Sequence, residues 1–156
     1  MPSYSVSASE IKYASGSSWT SGKARQGVYS STRYEGALNF ADLANFSSSN
    51  IAITGIQMRV TFGPAGGDST KYLTLYGGAQ NSISGSIGSM RGSAFGAVSV
   101  SSAYDRTVTL DFNSGSEAAI YNALVSFFTS GNRVLILYVP KTRGTYCKGF
   151  CYDYLS

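Results

Sequence analysis

The residues of this chain that could carry out chemistry are limited first by a residue type that is missing. The chain contains no histidine, and histidine is the only side chain whose unperturbed pKa lies near neutral pH. A Ser-His-Asp or Cys-His nucleophile therefore cannot be assembled. Two cysteines without histidine also leave too few ligands for a structural zinc site, which takes four such groups. We expect neither a bound metal nor a cofactor.

Carboxylates are the remaining candidates for acid-base chemistry. Glycoside hydrolysis needs two of them, roughly 5 to 9.5 Å apart, and the sequence shows no recognisable pair. Glu117 fits a helix cap, and three aspartates lie at turn positions, where such side chains bond to their own backbone: Asp42, Asp68 and Asp105. We predict no catalytic residue. A polysaccharide-degrading enzyme remains the alternative from a different functional class.

Aromatic residues offer a second kind of chemistry, the binding of sugars. The chain has 12 tyrosines and one tryptophan, and a pyranose face stacks on such rings while its hydroxyls meet polar side chains. Trp19 lies in a Gly/Ser-rich segment, which we predict to be a loop that either closes one end of the fold or presents the ring to a ligand. The plain alternative is that tyrosine simply favours strands. Our ligand-binding candidates are Trp19, Tyr29, Tyr104, Arg143 and Tyr146.

The net charge of +4 and the pI of about 9.1 favour acidic partners. Such a charge could attract phosphate, teichoic acid or acidic polysaccharide by long-range steering. It is small beside the basic stripe of nucleic-acid-binding proteins, so we do not expect nucleic acid as a partner. No window approaches the roughly 18 apolar residues of a membrane span, and residues 1–10 do not read as a signal peptide. We expect synthesis in the cytoplasm without a signal peptide and no membrane insertion.

Alternating apolar residues predict that most of the chain is β structure. Strands are expected where apolar residues recur at every second position, or where both faces are apolar, at residues 3–9, 28–34, 37–40, 51–62, 72–76, 107–112 and 134–139. A parity change at Gly55 predicts a β-bulge. We expect residues 77–103, which are mostly Gly, Ser and Ala, to form loops and short strands.

One helix is predicted at residues 117–129. Its apolar residues recur at helical spacing, a Ser-x-x-Glu capping box from Ser114 to Glu117 precedes them, and Gly131 supplies the stop. Many short strands with one helix predict an all-β jelly-roll β-sandwich over a single domain, residues 1–156, with a barrel as the second choice. Cys147 and Cys151 flank a three-residue turn, where free thiols and a disulfide both remain open.

Two stretches of the chain resemble a known type of module. Arg33 opens a strand that ends in Phe40-Ala41-Asp42-Leu43, and residues 50–62 follow with isoleucines and alternating apolar positions. This pattern resembles the DNRLRE-type jelly-roll modules. With Lys23-Ala24-Arg25-Gln26-Gly27 before it, residues 65–67 and 71–76 after it, and a terminal aromatic strand from Tyr146 to Phe150, it also resembles tail and minor structural proteins of phages and prophages of Gram-positive hosts.

The resemblance implies a non-enzymatic part of a virion, on the tail or the surface. We expect it to bind host cell-surface polysaccharide, to contact other virion proteins and to form a homo-oligomer, with a trimer as one option. The closest alternative is a purely structural virion component, such as a capsid decoration or a tail piece.

Overall fold

The structure is a computed structural model. It describes residues 5–22, 24–29, 32–43, 55–62, 71–100, 107–112, 118–138 and 149–155. These residues form antiparallel strands, one α-helix and a 3-10 turn at Ala41–Leu43. The strands are β1 (Glu10–Ala14), β2 (Trp19–Ser21), β3 (Ala24–Tyr29), β4 (Thr32–Asn39), β5 (Gln57–Phe62), β6 (Lys71–Gly78), β7 (Arg91–Val100), β8 (Thr107–Asp111), β9 (Val134–Leu137) and β10 (Gly149–Leu155), and the helix is α1 (Ala118–Thr129). The prediction of a mostly β chain with one helix is confirmed.

Strand pairing divides the strands into two groups. In the first group the order is β2-β1-β4-β9-β6-β7, and in the second it is β3-β10-β5-β8. The groups are joined where β3 and β4 pair as a hairpin, from Tyr29 opposite Thr32 to Gly27 opposite Tyr34. Beyond this hairpin β4 pairs with β1 and β9, whereas β3 pairs with β10.

Gly36 allows the two groups to cross closely. A Cβ at this position would lie 3.0 Å from the Cβ of Ala24 and 3.0 Å from the backbone oxygen of Arg25. Because glycine has no side chain there, the backbone of β3 can lie directly over β4. This close approach holds the beginning of β3 against β4.

Both groups and the helix contribute to one main core. Its buried residues come from seven strands or strand ends and from α1: Ala24, Leu38, Phe40, Met58, Val60, Leu73, Leu75, Val98, Leu110, Phe112, Ile120, Leu124, Leu135 and Leu137. Residues 56, 58 and 60 share this side, as their alternation predicts. A fully buried leucine or phenylalanine side chain contributes about 1.5 to 3 kcal/mol, so this core dominates the stability of the fold.

The central strand β9 is buried on both of its faces. Leu135 and Leu137 belong to the main core, while Val134 and Ile136 belong to a second cluster with Ala37 and Met90. We call the sheet side that carries this second cluster the outer face. The prediction that this strand is apolar on both faces because it lies within packed layers is confirmed for residues 134–137.

Helix α1 packs on the main core, beside β7. Ile120 and Leu124 are buried, and the ring of Phe127 meets that of Phe95 edge-on at 5.2 Å between centroids. Gly96 has a φ of +140°, and a Cβ there would lie 2.8 Å from the side chain of Ile120. Glycine at this irregular position of β7 therefore lets the helix approach the sheet.

The ends of the helix follow the prediction as far as they are described. The described helix runs from Ala118 to the predicted end at Thr129, and the predicted start at residue 117 lies outside the described residues. Gly131, with a φ of +90°, donates its N–H to the carbonyl of Phe128 at 3.0 Å, which is a glycine stop. The predicted capping box, Ser114 to Glu117, lies outside the described residues. No helix among those described is long and apolar enough to cross a membrane.

The predicted first strand is wrong for residues 5–9. These residues form no strand, and β1 begins at Glu10. Val6 and Ala8 still pack against the main core, and the N–H of Ser9 donates to the carbonyl of Asn39 at 2.7 Å. The alternation of apolar residues therefore indicates a segment that packs on the core but forms little backbone hydrogen bonding with a neighbouring strand.

Three further expectations need correction or stay open. We expected loops and short strands over residues 77–103, yet β7 runs for 10 residues within this range. Its small side chains suit the site where α1 packs closely. The bulge predicted at Gly55 is not tested, because residues 51–54 lie outside the described residues. Cys147 also lies outside it, so free thiols and a disulfide both remain open.

Candidate binding face

The outer face gathers charged and aromatic side chains from several strands. Ala37 pairs with Ile136 in the ladder between β4 and β9, and both belong to the outer cluster. Since side chains alternate along a strand, Glu35 shares this face, and Tyr138, just beyond β9, packs against the same cluster. The N–H of Tyr138 donates to the carbonyl of Thr74 at 3.3 Å. The sheet therefore holds these groups at fixed positions.

Glu35 is a fully buried carboxylate with two partners. Its Oε2 lies 2.9 Å from Nη1 of Arg91, and its Oε1 accepts the N–H of Gly88 at 3.0 Å. Burial raises the pKa of Glu35, although the hydrogen bond from Gly88 and the charge of Arg91 act in the opposite direction. Glu35 thus ties the segment before β7 to the middle of the sheet and holds Arg91 in place.

Arg91 in turn stacks on Tyr138. Its guanidinium carbon lies 3.6 Å from the centroid of the Tyr138 ring, and that of Arg33 lies 5.2 Å from the same centroid. The ring of Tyr76 meets the Tyr138 ring edge-on at 6.0 Å. The side chain of Arg91 is 27% exposed, and Arg33 and Tyr138 are also partly exposed. We call Arg33, Glu35, Tyr76, Arg91 and Tyr138 the Tyr138 cluster.

Trp19 lies in a strand, so the prediction that its segment is a loop is wrong at this residue. It begins β2, opposite Ala14 in the ladder. The side chain is partly buried and packs against the outer cluster, as Tyr138 does. Its Nε1 is buried, and the described residues supply no hydrogen-bond partner for it. The Gly/Ser segment before Trp19 is a connection between β1 and β2, and the indole covers one end of the outer face.

We predict that Trp19 matters for packing and not for hydrogen bonding. Trp19→Ala should lower the free energy of unfolding by about 3 kcal/mol, because a large partly buried ring is lost. Trp19→Phe should cost less than about 1 kcal/mol, since it keeps most of the contact and gives up no hydrogen bond. Urea denaturation followed by circular dichroism measures both variants. If Trp19→Phe lowered the free energy of unfolding as much as Trp19→Ala, the indole nitrogen would have an important partner.

The raised pKa of Glu35 gives a pH dependence with a definite sign. The folded state binds this proton more tightly than the unfolded chain, whose carboxyl titrates near 4.5. The contribution of Glu35 is therefore most favourable at low pH, and it declines as the pH rises from 4.5 through the raised pKa. Denaturation of the wild type and of Glu35→Gln, from about pH 3.5 to 8, should show the wild type losing stability relative to the variant over that window. A wild type that gains stability relative to Glu35→Gln as the pH rises would contradict the prediction.

A second arginine and tyrosine cluster lies near the crossing of β3 and β4. The guanidinium carbon of Arg25 lies 4.4 Å from the ring centroid of Tyr13 and 5.1 Å from that of Tyr34. The two rings meet edge-on at 5.8 Å. All three side chains are partly buried. These contacts fasten the hairpin to β1, and we interpret them as structural.

A shallow groove of about 440 Å³ runs beside β1 and is lined by residues 8–12, 21 and 22. Its charged residues neutralise each other, since Lys12 Nζ lies 3.1 Å from Oε2 of Glu10. The hydrogen bond from Asn39 and the contact with Lys12 lower the pKa of Glu10. Across the described part of the chain, no three acidic or thiol side chains gather as a metal site would require.

The structure does not test the other predicted ligand-binding residues. Tyr29 ends β3, opposite Thr32 in the hairpin. Tyr104, Arg143 and Tyr146 lie outside the described residues, so their roles stay predictions. Of the five candidates, Trp19 is the one that the structure places on the outer face.

Sequence reasoning missed the Tyr138 cluster. A local signal existed for Glu35, because a charged residue beside Gly36-Ala37-Leu38 in a strand must either face water or find a partner. The partner is 56 positions away, at Arg91. No periodicity or spacing in the sequence reports a contact over that distance.

No family model matches this chain, and no curated protein matches it significantly.

Proposed function

We propose that this protein is a non-enzymatic phage tail or virion module that binds host surface glycan through its outer face. The observation that carries the proposal is the Tyr138 cluster, in which arginine and tyrosine side chains are held partly exposed on a sheet. Such fixed, amphipathic groups bind at a small entropic cost. The non-enzymatic part of the proposal rests on the absence of histidine and on the use of Glu35 as an anchor for Arg91.

The segment beside this cluster suits a polyhydroxylated ligand. Residues 79–90 connect β6 to β7 and carry exposed serines: Ser82, Ser84, Ser86 and Ser89. Serine hydroxyls both donate and accept hydrogen bonds, as sugar hydroxyls do. Met90 anchors the end of this segment in the outer cluster. The polar surface and the arginines are therefore adjacent.

The finer description of the fold belongs to the same proposal. Two groups of antiparallel strands share one core, which supports a β-sandwich, and we propose jelly-roll connectivity by resemblance to the DNRLRE-type modules. We also propose that the protein lies in the virion as a homo-oligomer, since several weak sites acting together bind a repeating glycan tightly. Detection of this chain by mass spectrometry in purified virions tests that location, and its absence from them contradicts it.

A glycan array tests the binding function. The wild type should show saturable binding to a subset of bacterial surface glycans, and Tyr138→Leu should abolish most of it. Tyr13→Leu is the matched control, because Tyr13 also contacts an arginine but lies in the other cluster. Thermal melts confirm that both variants fold. Absence of saturable binding by the folded wild type, or equal losses in the two variants, would count against the proposal.

A purely structural virion component is the second candidate, and one observation favours it. Within the described residues β7 pairs only with β6, so its other edge has no partner there. Residues 92–100 carry no charge, although free edges are usually protected by charged residues. A salt-resistant oligomer without any glycan signal would support this role.

A further inference from the structure

We infer that residues 79–90, the connection from β6 to β7, form a strap that closes a deeper glycan subsite on the outer face, and that the tip of the strap lifts when a sugar enters. The subsite is the row of side chains around Glu35 beneath the tip. The inference rests on the proposed glycan-binding function, and it adds a closed state of the site and the kind of sugar that opens it.

Five residues form one row across the strands of the outer face. In the strand ladders Trp19 lies opposite Ala14, and Ala14 lies opposite Glu35. The pairing of β9 with β4 and with β6 places Tyr138 between Glu35 and Thr74. Neighbouring strands lie about 4.8 Å apart, so the row from Trp19 to Thr74 spans roughly 19 Å. The row is long enough for a chain of several sugar rings.

The tip of the strap lies on this row. The N–H of Gly88 donates to Oε1 of Glu35 at 3.0 Å, and the N–H of Ile87 donates to the carbonyl of Gly16 at 2.7 Å. Gly16 lies in the connection between β1 and β2, so the tip passes from β4 toward β2 in the direction of the row. Glu35 is fully buried, and Ala14 is 1% exposed. The row is therefore closed in this arrangement.

The base of the strap is fixed, whereas its tip is held by few contacts. At the base, the N–H of Ala79 donates to the carbonyl of Met90 at 2.8 Å, and the side-chain amide of Asn81 donates to the carbonyl of Gly131 at 3.2 Å. Of the strap residues before Met90, Ile83 packs against the outer cluster, and most of the others are exposed. A segment with few buried apolar contacts opens at a small free-energy cost. The tip can therefore lift while the base stays in place.

The row beneath the tip offers the groups that a hydroxyl-bearing sugar needs. The N–H of Gly88 occupies a position on Glu35 that a sugar hydroxyl could take, because a carboxylate oxygen accepts either donor. As a carboxylate paired with Arg91, Glu35 offers only acceptor atoms, so the sugar placed there presents a hydroxyl and not an acid group. We therefore assign the centre of the row to a hydroxyl of the sugar ring.

Two polar atoms in the same row lack partners while the strap is closed. Nε1 of Trp19 and Oγ1 of Thr74 are buried, and no described residue supplies a hydrogen-bond partner for either atom. Thr74 is only 5% exposed. A buried polar atom without a partner destabilises the closed arrangement. Sugar hydroxyls and ring oxygens in the row would supply both a donor and an acceptor for these atoms.

Closure of the strap and binding of the sugar compete for Glu35. Only molecules with a lifted tip bind, so the measured affinity is the affinity of the open state reduced by the open fraction. A change that loosens the tip without touching the row therefore raises the measured affinity. If the strap instead formed part of the binding surface, the same change would lower it.

Hydrogen exchange of the free protein, followed by NMR, tests whether the tip opens on its own. The amides of Ile87 and Gly88 should exchange at least about a hundredfold faster than that of Ile136 in β9. Ile83→Ser, which removes the apolar contact of the tip, should accelerate the two tip amides about tenfold. The matched control Val108→Ser removes a partly buried apolar side chain from β8, and it should accelerate Ile136 alone. Equal acceleration of all three amides by Val108→Ser would show that the strap opens only with the whole fold, and would overturn the inference.

Binding to immobilised Gram-positive cell-wall polysaccharide tests whether the row receives a sugar. Ile83→Ser should bind about tenfold more tightly than the wild type, and Val108→Ser should differ from the wild type by less than about twofold. Thr74→Val keeps the shape of the side chain but removes its hydroxyl, and it should weaken binding about fivefold. It should not lower the free energy of unfolding, because no described residue bonds to that hydroxyl.

The outcomes separate the inference from the proposed function. Absence of saturable binding in both the wild type and Ile83→Ser overturns the proposed function together with the inference. Binding that Ile83→Ser weakens or leaves unchanged, or that Val108→Ser strengthens equally, overturns the inference and leaves glycan binding intact. An unchanged affinity in Thr74→Val has the same meaning.

Discussion

Gly36→Val is expected to lower the free energy of unfolding by about 3 kcal/mol, the upper part of the range for overpacked sites. The new Cβ would lie 3.0 Å from Ala24 Cβ and from the backbone oxygen of Arg25. Neither of these atoms can move aside like the end of a flexible side chain. Valine adds two further methyl groups to the same space. The two groups of strands would therefore be forced apart where they cross.

Urea denaturation of Gly36→Val and of a matched control measures this effect. Gly16→Val is the control, because a Cβ at Gly16 meets nothing within 4 Å. We expect it to change stability by less than about 0.5 kcal/mol. Similar losses in the two variants would mean that β3 does not cross β4 closely at Gly36.

Glu35→Ala is also expected to lower the free energy of unfolding by about 3 kcal/mol. Removing one partner of a buried ion pair leaves the other partner unmatched, and here the N–H of Gly88 also loses its acceptor. The truncation opens space between β4 and the segment before β7. Arg91 would be released from its position on Tyr138.

Two comparison variants separate the causes of this loss. Glu10→Ala removes a carboxylate whose side chain is 40% exposed, and it should cost less than about 1 kcal/mol, as exposed pairs do. Glu35→Gln keeps the volume and an acceptor for Gly88, so it should cost clearly less than Glu35→Ala. Urea denaturation at neutral pH measures all three variants. If Glu35→Ala lowered the free energy of unfolding no more than Glu10→Ala, the Glu35 carboxylate would not stabilise the contact between β4 and the start of β7 as the structure indicates.

Local pattern predicted much of the secondary structure. The helix was predictable because its apolar residues recur at helical spacing and Gly131 ends it. The central strand β9 was predictable because four consecutive apolar residues can be buried only between two layers. Both signals lie within the segments themselves, so no long-range information was needed.

Other features depend on contacts between distant segments. The strand β2 is only three residues long, and it forms because Trp19 packs across the outer cluster, which its Gly/Ser neighbours do not reveal. The length of β7 depends on the pairing of small residues with β6 and on helix packing. Val6 and Ala8 alternate like a strand, yet their burial comes from lying on the core.

The candidate site was less predictable than the fold. The sequence indicated aromatic and basic residues as binding groups, and Trp19 does lie on the outer face. The pairing of Glu35 with Arg91, and the stacking of Arg91 on Tyr138, required β4, β7 and β9 to be placed in one sheet. Stacking of sugar on exposed rings was the mechanism that composition favoured. In the structure the guanidinium of Arg91 lies against the Tyr138 ring.

The central claim, that this protein binds a surface polysaccharide and does not degrade it, is tested most directly by one incubation with purified Gram-positive cell-wall polysaccharide. The fraction of protein retained and the number of new reducing ends are measured in the same sample. We expect saturable retention with no rise in reducing ends above a heat-denatured control. Released reducing ends that disappear when a single carboxylate is changed to its amide would contradict the claim and favour an enzyme.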